Sequence, residues 1–128
     1  GDIGFVSQSG ALGGGILNIL KDLNIGFSQF ISIGNQADVN AETAIEYWEN
    51  VDDVRQILLY MESIQNPANF RNLAARVSKK KPILALKSGR SAAGASAASS
   101  HTGSLAGRKR DCKGLQQKFR LWFPSRRT

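Results

Sequence analysis

The sequence predicts an α/β fold built on a parallel sheet with helices on both faces. Two observations predict it. Short apolar runs of strand length alternate, through residue 87, with segments whose apolar residues recur at three- and four-residue steps. Each stretch between successive runs is also long enough to cross the sheet and return parallel, which a tight hairpin cannot do.

Ile3-Gly4-Phe5-Val6-Ser7 is a continuous apolar run of the buried-strand kind, and Gln8-Ser9-Gly10 breaks it. Ala11 to Leu23 reads as a helix through Leu12, Ile16, Ile19, Leu20 and Leu23. Gly13-Gly14-Gly15 inside it costs about 1 kcal/mol per glycine against alanine, so the backbone there is expected to lie close to a strand or a ligand. Tight packing without any ligand would account for the same glycines. Asn24-Ile25-Gly26 ends the helix, with Gly26 in the place of a C-terminal turn residue. Phe27 to Ile33 is a second strand, and Gly34 to Asp38 is loop chemistry. Asn40 caps a helix from Ala41 to about Asn50, with Ala44, Ile45 and Trp48 on its apolar face. Asp52-Asp53 marks a turn before a third strand, Gln56 to Met61, which ends on Glu62. Pro67 opens a helix to about Lys79, with Phe70, Leu73, Ala74 and Val77 in register. Lys79-Lys80-Lys81 places cations at the negative end of the helix dipole and reads as a solvated helix end rather than a binding patch. Pro82 leads into a fourth strand, Ile83 to Lys87, which runs into Ser88-Gly89-Arg90.

Parallel crossovers are right-handed almost without exception. The expected arrangement is therefore a flavodoxin-like three-layer sandwich with strand order 2-1-3-4 and onward. Ligands of such sheets bind beyond the carboxyl ends of the strands.

The chain of 128 residues fits one domain, and its 41% hydrophobic content is ordinary for a globular protein. No apolar run reaches the roughly 18 residues of a membrane span, and no charged-apolar-small signal pattern opens the chain. Entry into an apolar run directly after Gly1-Asp2 predicts a piece of something longer. The single cysteine, Cys112, cannot form an internal disulfide, in keeping with a reducing, cytoplasmic setting. It also lacks the partners of a Cys/His metal site, so no metal is expected. The net charge of +7 is unevenly placed. Residues 1–107 hold nine Lys/Arg and nine Asp/Glu, whereas residues 108–128 hold eight Lys/Arg and one Asp. The body thus carries no basic signature for nucleic acid.

Three features fall at the expected ligand edge. The first is Ser7-Gln8-Ser9-Gly10-Ala11, at the turn after the first strand, where a helix begins and its N–H groups attract anions. The second is Glu62, at the end of the third strand. The third is the small-residue run from Ser88 to Gly107, which holds His101, the one histidine of the chain. Glycine and serine let backbone approach phosphate oxygens and supply donors, so His101 is placed to carry a phosphoryl group. A carboxylate on one ring nitrogen would fix the tautomer and leave the other free to attack phosphorus. The run reads equally as a flexible Ser/Ala/Gly linker, and Glu62 as a solvated strand-end carboxylate. Ser9-Gly10-Ala11-Leu12-Gly13 lacks the spacing of a dinucleotide fingerprint, and no Gly-Lys-Ser/Thr of a P-loop follows. An isolated phosphate at the helix start fits better than a nucleotide.

Four blocks carry a family resemblance. They are Ser7-Gln8-Ser9-Gly10-Ala11-Leu12-Gly13, Gly34-Asn35-Gln36-Ala37-Asp38-Val39, Leu84-Ala85-Leu86-Lys87-Ser88-Gly89-Arg90, and the stretch from Ala98 to Gly107 around His101-Thr102-Gly103-Ser104. In this order they resemble the NDP-forming acyl-CoA synthetase family, which includes ADP-forming acetate–CoA ligases and is related to the succinyl-CoA synthetase alpha subunit. The resemblance covers residues 1–107 and implies the flavodoxin-like domain that carries a phosphorylated histidine. It implies that acyl-CoA and phosphate give an acyl phosphate and free CoA, and that the phosphoryl group passes to His101 and then to ADP. Glu62 matches the supporting carboxylate. Ser9, Gly10 and Ala11 match the helix start that holds the phosphate, and Thr102, Gly103 and Ser104 lie where the loop closes around it. The partners implied are phosphate and the CoA-binding and ATP-grasp domains of the same enzyme, neither of which is in this sequence; self-association is left open. CoA, ADP or ATP and Mg²⁺ would be used by the full enzyme and none held by this chain alone, which is expected to be inactive by itself.

Residues 108–128 depart from the family pattern, being basic and without helical periodicity. They are expected to be a non-native or disordered tail, from a reading-frame change or an artificial junction, leaving the sandwich incomplete at its C-terminus. Two other functions stay in view. Related domains sense acyl-CoA as regulatory parts of protein acetyltransferases, although loss of the histidine often accompanies that role. A tail with Phe119, Trp122 and Phe123 among cations could bind nucleic acid, in a strongly salt-dependent manner.

Overall fold

The computed structural model describes residues 1–88 and the backbone of residues 121–122. Strands β1 (Ile3–Ser7), β2 (Phe27–Ser32), β3 (Gln56–Met61), β4 (Ile83–Lys87) and β5 (Leu121–Trp122) alternate with helices α1 (Gly10–Asp22), α2 (Ala41–Trp48) and α3 (Pro67–Val77). The strands form one sheet in the order β2-β1-β3-β4-β5. Every pairing is parallel. The α/β class and the order 2-1-3-4 are as expected. The two residues of β5, paired with Ile83 and Leu84, fall in the stretch 108–128 set apart above as a tail.

Helices α2 and α3 lie on one face of the sheet. Alternate strand residues Val6, Ile57, Leu59, Met61, Ile83 and Ala85 meet Ala44, Ile45, Trp48, Phe70, Ala74 and Val77 in one buried cluster. Gly4 is required here: a Cβ would stand 2.9 Å from both the Trp48 ring and Val54. The Trp48 indole donates from Nε1 to Gln29 Oε1 at 2.7 Å, so the ring buries no unpaired donor.

Helix α1 lies on the opposite face, over Phe5, Phe27 and Phe30, whose rings pack with centroids 6.0 Å and 5.2 Å from Phe5. Of the three glycines predicted to permit close approach, one does so. A Cβ on Gly13 would meet the Phe30 ring at 2.9 Å and Ser7 at 3.2 Å, whereas Gly14 and Gly15 face open space.

The helix ends differ from the sequence reading for local reasons. Helix α1 ends through Asn24, not Gly26. Asn24 takes the left-handed conformation (φ 55), its N–H donates to Lys21 O, and the next N–H donates to Leu20 O. Helices α2 and α3 stop short of Asn50 and Lys79. The lysine run is also more than a solvated end. Lys81 Nζ donates to the carbonyls of Trp48 and Val51 at 2.6 Å each, closing the end of α2. Lys80 and Arg76 pair with Glu49 at 3.1 Å and 2.8 Å. Lys80 first, and Arg76 with it, hold the Glu49 carboxyl below the ordinary carboxylate range. At the other end of α2, burial pushes the Glu42 carboxyl up, against the backbone N–H groups of Glu42 and Asn66.

Candidate phosphate-binding edge

At the carboxyl ends of the strands, the β1–α1 turn, the β2–α2 loop, the β3–α3 loop and the end of β4 converge. Ser9 caps α1 from extended backbone (φ −105, ψ 116), its Oγ accepting from Leu12 N at 3.3 Å. Ser7 Oγ sets the turn, donating to Ser9 O at 2.7 Å and accepting from Ser9 N at 3.2 Å. Gly10 and Ala11 are exposed, and no described residue accepts from their N–H groups. Free donors at the positive end of a helix dipole suit an anion.

Glu62 follows β3 directly. Its carboxylate Oε2 is buried and takes no hydrogen bond from the described residues. Its peptide is held from both sides. The side chain of Gln8, in the turn just before the Ser9 cap, accepts at Oε1 from Glu62 N at 2.5 Å and Ser63 N at 2.9 Å. Gln8 Nε2 donates to Ser63 O at 2.8 Å. From the β4 side, Lys87 Nζ donates to Glu62 O at 2.6 Å and to Ser88 O at 2.8 Å. A further strut comes from the β2–α2 loop, where Gln36 Nε2 donates to Ser63 Oγ at 3.3 Å and Gln65 Nε2 donates to Gln36 O at 3.0 Å. Gln36 sits in the left-handed region (φ 57), a conformation glycine adopts more easily, yet its buried side chain reaches the Ser63 hydroxyl.

The fold therefore gathers the predicted residues Glu62, Ser9, Gly10 and Ala11 at one edge. His101, Thr102, Gly103 and Ser104 lie outside the described residues. Gln8, Gln36 and Lys87 stand in the blocks that carry the family resemblance, and Gln8 also in the turn expected at the ligand edge, but the sequence assigned none of them a role of its own, because their partners are distant in the chain. Among the described residues no group of three or more His, Cys, Asp or Glu is placed to hold a metal ion. No helix among them is long and apolar enough to cross a membrane.

Comparison with known proteins agrees with this fold. Residues 1–119 match the family model described as the succinyl-CoA ligase like flavodoxin domain. Over 107 residues, 84% of this chain, the sequence is 49% identical to the ADP-forming acetate–CoA ligase II subunit alpha of Pyrococcus furiosus, covering 23% of that protein. It is likewise 49% identical over 107 residues to the ADP-forming acetate–CoA ligase of Methanocaldococcus jannaschii, covering 15% of it. The dinucleotide forming acetyl-coenzyme A synthetase 1 of Ca. Korarchaeum cryptofilum, solved in complex with phosphate and ADP, superposes with a TM-score of 0.90 at 34% identity, over 99% of this chain and 28% of that one. The chain thus spans about a quarter or less of the curated relatives named here. With its parallel sheet, capped α1 and paired strand-end turns, the chain belongs to the succinyl-CoA ligase like flavodoxin domain family.

Proposed function

We propose that this chain supplies the phosphoryl-carrying domain of an ADP-forming acyl-CoA ligase, with His101 as the carrier. The observation that supports it most is the buried Oε2 of Glu62, which has no partner among the described residues, at the same edge as the α1 N–H groups that none of them accepts. A buried carboxylate oxygen without a donor is costly unless a ligand or side chain supplies one. An imidazole N–H is such a donor. Accepting it, Glu62 would fix the ring tautomer and stabilise the positive ring that forms on phosphorylation.

The chemistry then runs in two displacements. The free nitrogen of His101 attacks the phosphorus of an acyl phosphate, the N–P bond forms, the P–O bond to the acyl group breaks, and a carboxylate leaves. A terminal oxygen of ADP next attacks the same phosphorus, the N–P bond breaks, and ATP forms. Gly10 and Ala11, with Ser9 shaping their turn, would stabilise the phosphoryl oxygens, and Thr102, Gly103 and Ser104 would close the opposite side. CoA, ADP or ATP and Mg²⁺ are used by the whole enzyme and none is retained by this chain alone. Its partners in this reading are phosphate and the CoA-binding and ATP-grasp domains, with cytoplasmic residence.

The test is incubation of the chain with ATP, Mg²⁺ and an ATP-grasp partner, followed by assay for acid-labile protein phosphate. Label on the wild type and none on His101→Ala is expected. No label on either, or equal label on both, defeats the proposal, and acyl-CoA binding without label would point to the sensing role instead.

A further inference from the structure

We propose that Gln8 is a positioning residue for the phosphoryl step, an inference that rests on the function proposed above. Gln8 is only 5% exposed. A primary amide is buried at a cost unless its donor and acceptor are both used. Here Oε1 takes the N–H groups of Glu62 and Ser63, Nε2 gives to Ser63 O, and the backbone N–H of Gln8 donates to Tyr60 O at 3.0 Å. The backbone bond extends the β1–β3 ladder by one step. The three side-chain bonds tie the turn after β1 to the turn after β3.

The two turns carry different parts of the site. The residue after Gln8 caps the helix whose N–H groups face the anion, and the first residue that Gln8 grips is Glu62. Lys87 holds the carbonyl of the same residue from the β4 side. With its N–H and C=O both fixed, Glu62 retains only side-chain torsions, and its carboxylate stays in register with α1. Group transfer is sensitive to such register, since a misplacement of about 1 Å can cost on the order of a hundredfold in rate.

Two variants of the full chain test this in the same labelling assay. Gln8→Met keeps the length and removes all three side-chain bonds. Gln8→Glu keeps the two accepting contacts and loses the donated one. Gln8→Met is expected to take label about tenfold more slowly, at an unchanged final stoichiometry and with the KM for ATP held within about twofold, while Gln8→Glu recovers part of the rate. A merely structural role would lower the amount of labelled protein and leave the rate constant of the folded molecules alone; that result, or an unchanged rate, overturns the inference. Amide hydrogen exchange gives a second arm that needs no chemistry. The Glu62 and Ser63 N–H groups should be protected in the wild type and should exchange about tenfold faster in Gln8→Met, with β1 and β3 amides unaffected. Unprotected amides there in the wild type remove the clip itself. Protected amides in a wild type that takes no label defeat the proposed function and leave Gln8 a structural residue only.

Discussion

The two faces of the sheet are finished to different degrees. On the side of α2 and α3, Val6, Ile57, Leu59, Met61, Ile83 and Ala85 are all buried, and two helices lock against one another over them. On the other side α1 is the one helix among the described residues. It buries Phe5, but the neighbouring strand residues Phe30, Leu84 and Leu86 stay 38%, 42% and 39% exposed, and Ile19 of α1 and Leu23 just after it are more exposed still. Strand alternation makes the contrast sharp, because adjacent residues of one strand sample both environments. The lesson is that stability is concentrated on the α2/α3 face, whereas the α1 face lends its helix start to the anion-binding edge.

The contrast breaks most visibly within β4. Ile83→Ala should destabilise by about 2–5 kcal/mol, because it opens a cavity in a closed cluster, while Leu84→Ala, one residue on, should cost less than about 1 kcal/mol. Urea unfolding of the two variants measures both; similar costs would mean the faces are energetically alike. Inside α1 the comparison sharpens further. Gly14→Ala should stabilise by about 0.5–1 kcal/mol, since its Cβ enters open space, whereas Gly13→Ala should forfeit that gain against Phe30 and Ser7.

The smallest effect lies in the pH response of α2. Glu49 has a lowered folded pKa, so its contribution is full above the pKa of an unfolded carboxyl and is lost as pH falls through its own. Glu42 has a raised pKa, so its ionisation costs stability above that value, and acid relieves the cost. Thermal melts from neutral to acidic pH should therefore show opposite trends. Glu49→Gln should be less stable than wild type at neutral pH, and Glu42→Gln should gain on the wild type as pH rises. Both differences should shrink on acidification.

Strands and topology were legible in the sequence because each apolar run is bounded by its own breakers. Ile3–Ser7, Gln56–Met61 and Ile83–Lys87 needed nothing from elsewhere in the chain. Helix ends were less legible, since Lys81 closes α2 across 30 residues of chain and Asn24 displaces the expected Gly26. Of the site, Ser9, Gly10, Ala11 and Glu62 could be read from their places at strand and helix ends. The contacts of Gln8 and Lys87 could not, because a buried amide or ammonium shows its purpose only through partners such as Glu62, 54 and 25 residues away. His101 and the residues after it fall outside the described part of the structure.

One detail of the packed face has a practical consequence. The indole of Trp48 is wholly desolvated, lies against the backbone at Gly4 and is tethered to Gln29. Its emission should be blue-shifted in the native state and should move to the red when α2 detaches. With Trp122 replaced, the chain would carry a single internal fluorophore of this type, able to follow folding in real time without reference to phosphate chemistry.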